Sequence, residues 1–188
     1  MTDTDWINII NKVKKTENNR KDKSVTEYME KDPDFCYTTD KMAKYLIDSI
    51  DFEDGDMVME PCFGKGAFYN NLPNNVIKEF CEIDLDKNYL EYNGEVDITL
   101  SNPPFVPRTL FWDFHVKAMM TTRKNIYWLI NRCWVDVFTP KRLNEMNEKG
   151  WYIESFKVVA DKRWYGRYYW IKFGKTPNNM FSWCSTSF

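Results

Sequence analysis

The chain has 188 residues, of which 43% are hydrophobic and 17% are aromatic. This composition excludes an intrinsically disordered protein, and the length suits one domain with a substantial core. No apolar run approaches the length of a membrane span, the polar N-terminus shows no signal-peptide pattern, and the one histidine excludes a His-based metal cluster. Five cysteines without Cys-x-x-Cys spacing are typical of a reduced setting, so we expect a cytoplasmic protein without a metal.

The net charge of −2 hides an asymmetry between the two halves of the sequence. Residues 1–100 contain 12 basic and 22 acidic side chains, whereas residues 101–188 contain 14 basic and 6 acidic ones. The second half also holds 20 of the 32 aromatic residues. Basic side chains interleaved with aromatic ones suit phosphate contacts and base stacking, although the same aromatic residues can fill a core. We select as candidate nucleic-acid contacts Arg108, Arg163, Trp164 and Arg167.

The N-terminal elements are predicted to be helical. Residues 1–33 are polar and charged and predict an N-terminal arm or helix. Thr39 or Asp40 can cap the next helix. The residues predicted to share one face of that helix are Met42, Tyr45, Leu46, Ser49 and Ile50.

Two predicted strands then end in residues suited to a nucleotide-like ligand. Residues 57–59 form an apolar strand that runs into a loop with Gly64 and Gly66, and glycines permit a close backbone approach to a ligand. The loop matches neither the dinucleotide fingerprint nor a Walker A loop. Residues 76–83 predict a second strand with Glu82 near its end, and an acid there can accept both hydroxyl protons of a ribose.

A third predicted strand, residues 98–101, runs directly into Asn102, Pro103, Pro104 and Phe105. Each proline fixes φ near about −65° and lacks an N–H, so the segment is rigid. The Asn102 side chain and the Pro103 backbone then offer two carbonyl acceptors, and Phe105 offers an aromatic face. These groups suit an exocyclic amino group on a flat base, although a proline-rich turn under a core Phe is equally consistent.

The remaining elements complete an α/β pattern. Residues 110–120 predict a helix and residues 125–131 a buried strand. Thr139 followed by Pro140 opens a helix to about Lys149. Residues 151–159 and 167–173 predict a closing hairpin of two strands.

This order of motifs resembles the S-adenosylmethionine-dependent amino-methyltransferases, with the segment order of the γ-type DNA N6-adenine enzymes. Small phage-borne and plasmid-borne relatives are similar. The resemblance covers residues 34–175, which would be the catalytic domain, with residues 176–188 as a C-terminal tail. It implies a Rossmann-like class I fold, an α/β fold with a mostly parallel sheet and an antiparallel C-terminal hairpin. It also implies S-adenosylmethionine as cofactor, DNA as partner and methylation of the adenine N6 amino group.

The resemblance assigns roles to individual residues. The catalytic residues it implies are Asn102, Pro103, Pro104 and Phe105. The cofactor-binding residues it implies are Tyr37, Thr38 and Thr39 at the methionine end, Glu60, Pro61, Cys62, Phe63, Gly64 and Gly66 in the first motif, and Glu82 and Ile83 in the second. It implies no metal, and target recognition would come from a homodimer or a partner subunit.

One segment departs from the family pattern. Only seventeen residues separate Asp84 from Asn102, too few for the usual helix, third strand and Asp-Phe pair that grips the cofactor adenine. Asn88 and Tyr89 are the nearest substitutes, with Tyr89 available to stack. Methylation of DNA adenine is favoured, followed by RNA adenine, then a methyltransferase-like nucleic-acid-binding subunit with an impaired cofactor pocket. Methylation of a protein glutamine amide is a further alternative, but its enzymes usually carry a longer helical N-terminal domain.

Overall fold

The computed structural model describes residues 37–104, 108–160 and 167–177, together with the backbone but not the side chains of Arg108 and Cys133. The predicted N-terminal arm and most of the predicted tail lie outside these residues. Five helices are described: α1 (Asp40–Ile47), α2 (Ala67–Asn71), α3 (Arg108–Thr121), α4 (Arg132–Val135) and α5 (Pro140–Glu148). The six strands are β1 (Met57–Glu60), β2 (Ile77–Phe80), β3 (Val96–Ser101), β4 (Thr122–Asn131), β5 (Tyr152–Val159) and β6 (Tyr168–Gly174).

The strands form one sheet in the order β2-β1-β3-β4-β6-β5. The first four are mutually parallel, while β6 is antiparallel to both β4 and β5. The predicted α/β fold with a parallel sheet and an antiparallel C-terminal hairpin is therefore confirmed. The second strand is shorter than predicted, because the chain leaves the sheet after Phe80 and folds into two single-turn 3₁₀ helices, Ile83–Leu85 and Tyr89–Glu91.

The short connection between β2 and β3 explains the edge of the sheet. Residues 81–95 are all described and contain the two 3₁₀ turns but no further strand or α-helix. Among the described residues β2 therefore pairs only with β1, and it ends the sheet. Its first side chain, Ile77, is 50% exposed.

Apolar side chains pack against both faces of the sheet. Alternation along β4 places Ile126, Trp128 and Ile130 in one cluster and Tyr127 and Leu129 in the other. Helices α3 and α5 cover the first face, while α1 and α2 cover the second. A strand buried on both faces is expected in a parallel sheet covered by helices on both sides.

Capping residues begin two helices where the sequence predicts them. Thr39 caps α1, with its Oγ1 accepting from the Met42 N–H at 3.3 Å. Thr139 caps α5, and Pro140 occupies its first turn. The predicted buried face of α1 is partly wrong: Tyr45 is 62% exposed, and Ala43 takes the core position instead.

Ion pairs close the edge of the sheet where β3 and β4 begin. Arg123 donates to both carboxylate oxygens of Asp97 at 3.0 and 3.1 Å, and the hydrogen bond with this guanidinium lowers the pKa of Asp97. Lys124 bonds the buried Asp56 at 2.7 Å. Part of the charge asymmetry therefore serves the structure, because acids of the first half pair with bases of the second.

Neither a membrane span nor a metal cluster is present among the described residues. No helix there combines the length and apolarity needed to cross a bilayer. No group of three His, Cys, Asp or Glu side chains in the same residues is arranged to hold a metal ion.

Candidate active site

Three predicted motifs meet at one edge of the sheet. Because β1, β2 and β3 are parallel, their carboxyl ends lie at the same edge. The glycine loop follows β1, Glu82 follows β2, and Asn102 follows β3. Ligands of open parallel sheets bind outside this edge. The fold thus brings together the loops that the sequence identifies as a candidate site.

The loop after β1 has a backbone shape that depends on its two glycines. Gly64 has a φ of 52° and Gly66 a φ of 76°, both in the left-handed region. A Cβ added at Gly64 would lie 3.0 Å from the Tyr37 ring, and one added at Gly66 would lie 2.7 Å from the Phe63 ring. Phe63 is held in turn by its N–H, which donates to the Cys81 carbonyl at 3.0 Å. A larger residue at either position would therefore displace an aromatic ring.

The Glu82 carboxylate joins the first two motifs. Its Oε2 accepts from the Gly64 N–H at 2.6 Å, and its Oε1 accepts from the Asp84 N–H at 3.4 Å. The side chain is half-buried, whereas the neighbouring Ile83 is 62% exposed. An acceptor beside a glycine loop and next to an exposed apolar side chain can bind a diol and cover a flat ring.

Two other residues of the first motif lie inside the protein. Glu60 is 1% exposed, and its Oε2 accepts from the Tyr69 N–H at 2.8 Å. Burial raises the pKa of Glu60 to about 9, and the nearby Glu82 charge adds to this effect. Burial also raises the pKa of the Cys62 thiol, which lies beside the Ser101 hydroxyl. Glu60 is therefore mostly neutral at pH 7 and holds the start of α2 against the end of β1.

Asn102 contacts the segment that precedes α1. Its Nδ2 donates to the Thr38 Oγ1 at 3.2 Å, and both residues are half-buried. Thr39 is committed to its helix cap, and the Tyr37 ring lies against Gly64 with the Lys65 Nζ 5.1 Å from the ring centre. The three residues predicted to hold the methionine end of a cofactor thus connect the glycine loop with Asn102.

The predicted adenine contacts are not arranged as expected. The Tyr89 ring is 1% exposed and packs 5.3 Å from the Phe114 ring, while its hydroxyl lies 3.4 Å from the Thr121 Oγ1. Stacking on a cofactor requires an exposed ring face, so the assignment of Tyr89 to stacking is wrong in this arrangement. Asn88 caps the second 3₁₀ turn, accepting from the Leu90 N–H at 3.0 Å. The compressed segment buries the Tyr because it is the main apolar residue available to cover α3.

The remaining predicted site residues are only partly described. Pro103 is buried and Pro104 half-buried, whereas Phe105, Arg163 and Trp164 lie outside the described residues. Arg108 begins α3, but its side chain is likewise outside them.

The structure adds a basic residue that we did not predict. Arg167 is exposed before β6, and its carbonyl accepts from the N–H of Arg132, an exposed residue directly after β4. The signal for Arg132 was its place directly after a long apolar strand, the same signal that identified Asn102.

Comparison with solved structures identifies the fold. No protein-family model matches the sequence, and no curated protein matches it. The magnesium protoporphyrin IX methyltransferase of Synechocystis, solved with bound S-adenosylmethionine, is similar with a TM-score of 0.54 and 8% identity, over 86% of this chain and 100% of that one. The fold is that of methyltransferases.

Two further structures have the same fold. A protein assigned as an RNA methyltransferase from Pyrococcus horikoshii has a TM-score of 0.52 and 15% identity, over 73% of this chain and 84% of that one. The E. cuniculi Mtq2-Trm112 complex, which methylates the eRF1 translation termination factor, has a TM-score of 0.52 and 17% identity, over 73% of this chain and 94% of that chain. At these identities the similarity concerns the fold, and the reaction must be argued from the site.

Proposed function

We propose that this protein transfers a methyl group from S-adenosylmethionine to the N6 amino group of adenine in a nucleic acid, with DNA as the favoured substrate. The observation that carries the proposal is the position of Asn102. It follows β3 at the edge where the glycine loop and Glu82 also lie, and it is followed by two prolines. A rigid amide at this edge is suited to hold an amino group beside a cofactor.

The residues of the first two motifs fit the cofactor. The space beside Gly64 and Gly66 is one that a side chain would fill, so a bound molecule can approach the backbone closely there. Glu82 can accept hydrogen bonds from ribose hydroxyls, and the exposed Ile83 can cover the adenine. The Synechocystis enzyme with the same fold binds S-adenosylmethionine, which supports this choice of cofactor.

The mechanism that we propose is mainly one of positioning. When bound, S-adenosylmethionine supplies a methyl group on a positively charged sulfur. The Asn102 side-chain carbonyl and the Pro103 backbone carbonyl accept the two amino hydrogens, which directs the nitrogen lone pair towards the methyl donor. The nitrogen loses a proton only after it has become cationic, so no strong base is needed. A base in a duplex must first leave the helix to reach Asn102.

Exposed arginines support a nucleic acid rather than a protein as substrate. Arg132 follows β4 and Arg167 precedes β6, so both lie at the same edge of the sheet as Asn102. Among the described residues neither guanidinium has an acidic partner, in contrast to the paired Arg123 and Lys124 at the opposite edge. Exposed, unpaired arginines beside a site are suited to phosphate contacts.

A tritium-transfer assay tests the proposal. Parent protein and the Asn102→Ala variant are incubated with labelled S-adenosylmethionine and adenine-containing DNA, the matching RNA, or a protein substrate mixture, and the products are analysed as nucleosides or amino acids. We expect N6-methyladenine from the parent and none from Asn102→Ala, with cofactor binding nearly unchanged in titration calorimetry. Asn147→Ala, on α5, controls for loss of an amide side chain.

Each outcome decides between the alternatives. Product on RNA alone would change the substrate class but keep the chemistry, and labelled protein alone would favour the glutamine alternative. A parent that binds no S-adenosylmethionine would favour the binding-subunit alternative. Full activity in Asn102→Ala would refute the assignment of the site.

A further inference from the structure

The hydrogen bond between Asn102 and Thr38 joins two parts of the site that are distant in sequence. The Asn102 Nδ2 donates to the Thr38 Oγ1 at 3.2 Å across a separation of 64 residues. Thr38 is itself held in place, because the next residue caps α1 and its carbonyl accepts from the Ala43 N–H at 2.9 Å. The acceptor for the Asn102 amide is therefore part of a fixed helix start rather than of a free loop.

This hydrogen bond selects one of the two orientations of the amide. An asparagine side chain has a donor end and an acceptor end, and rotating it by half a turn exchanges them. Only the acceptor end can hold an amino group through its hydrogens. With Nδ2 bonded to Thr38, the Asn102 carbonyl oxygen occupies the opposite end of the amide. A methyl group in place of the Thr38 hydroxyl would remove this selection.

We propose that Thr38 is a positioning residue that fixes the Asn102 amide with its carbonyl oxygen available to the target amino group. This inference rests on the proposed function, since it concerns the same transfer reaction. It also gives Thr38 a role beyond the cofactor segment: a residue from the segment that would hold the methionine end of the cofactor orients the residue that would hold the target.

Two substitutions at position 38 separate orientation from packing. Thr38→Val keeps the shape and removes the hydroxyl, while Thr38→Ser keeps the hydroxyl. At saturating cofactor, measured by titration for each variant, we expect Thr38→Val to lower kcat about 3- to 10-fold, the range of one neutral hydrogen bond, and Thr38→Ser to retain it. The matched control is Thr122→Val, which removes a hydroxyl from a buried Thr99–Thr122 hydrogen bond at the start of β4 and should leave kcat unchanged.

The Asn102→Asp background gives a sharper test. A carboxylate has two equivalent acceptor oxygens, so it has no wrong orientation to exclude. If Thr38 acts by selecting the orientation of the amide, Thr38→Val should reduce kcat much less in Asn102→Asp than in the parent. An equal reduction in both backgrounds would mean that Thr38 acts on the cofactor or on packing, and it would overturn the positioning role.

A measurement without turnover checks the hydrogen bond itself. The side-chain NH₂ signal of Asn102, assigned in ¹⁵N-labelled protein as the signal missing from Asn102→Asp, should move upfield in Thr38→Val and stay in place in Thr38→Ser. An unmoved signal in Thr38→Val would overturn the inference. An inactive parent protein would refute the proposed function, whereas an active parent that is insensitive to Thr38→Val would refute only the role of Thr38.

Discussion

The buried carboxyl of Glu60 gives the structure a specific dependence of stability on pH. Burial raises its pKa to about 9, whereas the unperturbed value is 4.5. Above pH 4.5 the unfolded chain can ionise this group and the folded protein cannot, so its contribution to folding free energy worsens as pH rises towards 9. Between pH 5 and pH 7 this difference amounts to about 2.5 kcal/mol.

Glu60→Gln removes the ionisable group and keeps an oxygen that can accept from the Tyr69 N–H. The variant should therefore gain stability relative to the parent on going from pH 5 to pH 7, by about 2.5 kcal/mol in urea unfolding. Glu148→Gln, on the exposed end of α5, controls for loss of one carboxyl group. An identical stability difference between parent and Glu60→Gln at both pH values would show that Glu60 is ionised in the folded protein, and the reasoning would be wrong.

Three further predictions follow from the site and the core. Gly66→Val and Glu82→Ala should each weaken S-adenosylmethionine binding measured by calorimetry, the second by about 1.5–3 kcal/mol for a lost charged hydrogen bond, and unchanged affinity in both would move the pocket elsewhere. Replacing Arg132 and Arg167 by Ala should reduce the salt dependence of nucleic-acid binding by about one unit of slope per phosphate contact, whereas an unchanged slope would leave both arginines without a substrate. Burial holds the pKa of His115 at about 3, against 6.5 when unperturbed, so this group should cost about 2 kcal/mol of stability between pH 7 and pH 5. His115→Gln should lose that cost in urea unfolding, and a variant with the parent's pH dependence would contradict it.

The sequence predicted the sheet because its strands are short apolar runs that end in glycine, proline or an acid. Residues 57–59 and 98–101 are of this kind, and their parallel pairing places the Gly64 and Asn102 loops together. Helix starts were equally predictable where a hydroxyl cap is present, as at Thr39 and Thr139. These signals are local, and local chemistry decides them.

The features that the sequence did not predict depend on packing between distant segments. Tyr89 has the composition of a stacking residue, but its surroundings bury it against Phe114. Tyr45 and Ala43 differ by two positions on α1, and the space available against the sheet, rather than hydrophobicity, decides which one is buried. The contact between Thr38 and Asn102 spans 64 residues, so no local pattern could indicate it.

The position of β2 at the end of the sheet has a consequence for local unfolding. Among the described residues its backbone is held by β1 alone, whereas β1, β3, β4 and β6 each lie between two strands. Segments with fewer partners open at lower free energy, so amide hydrogens of Ile77–Phe80 should exchange with solvent faster than those of β3 and β4. A ligand that bonds both Glu82 and the Gly64 loop would connect the end of β2 to the end of β1. Binding at this edge would then slow exchange in β2 and raise the stability of the strand that carries the acid.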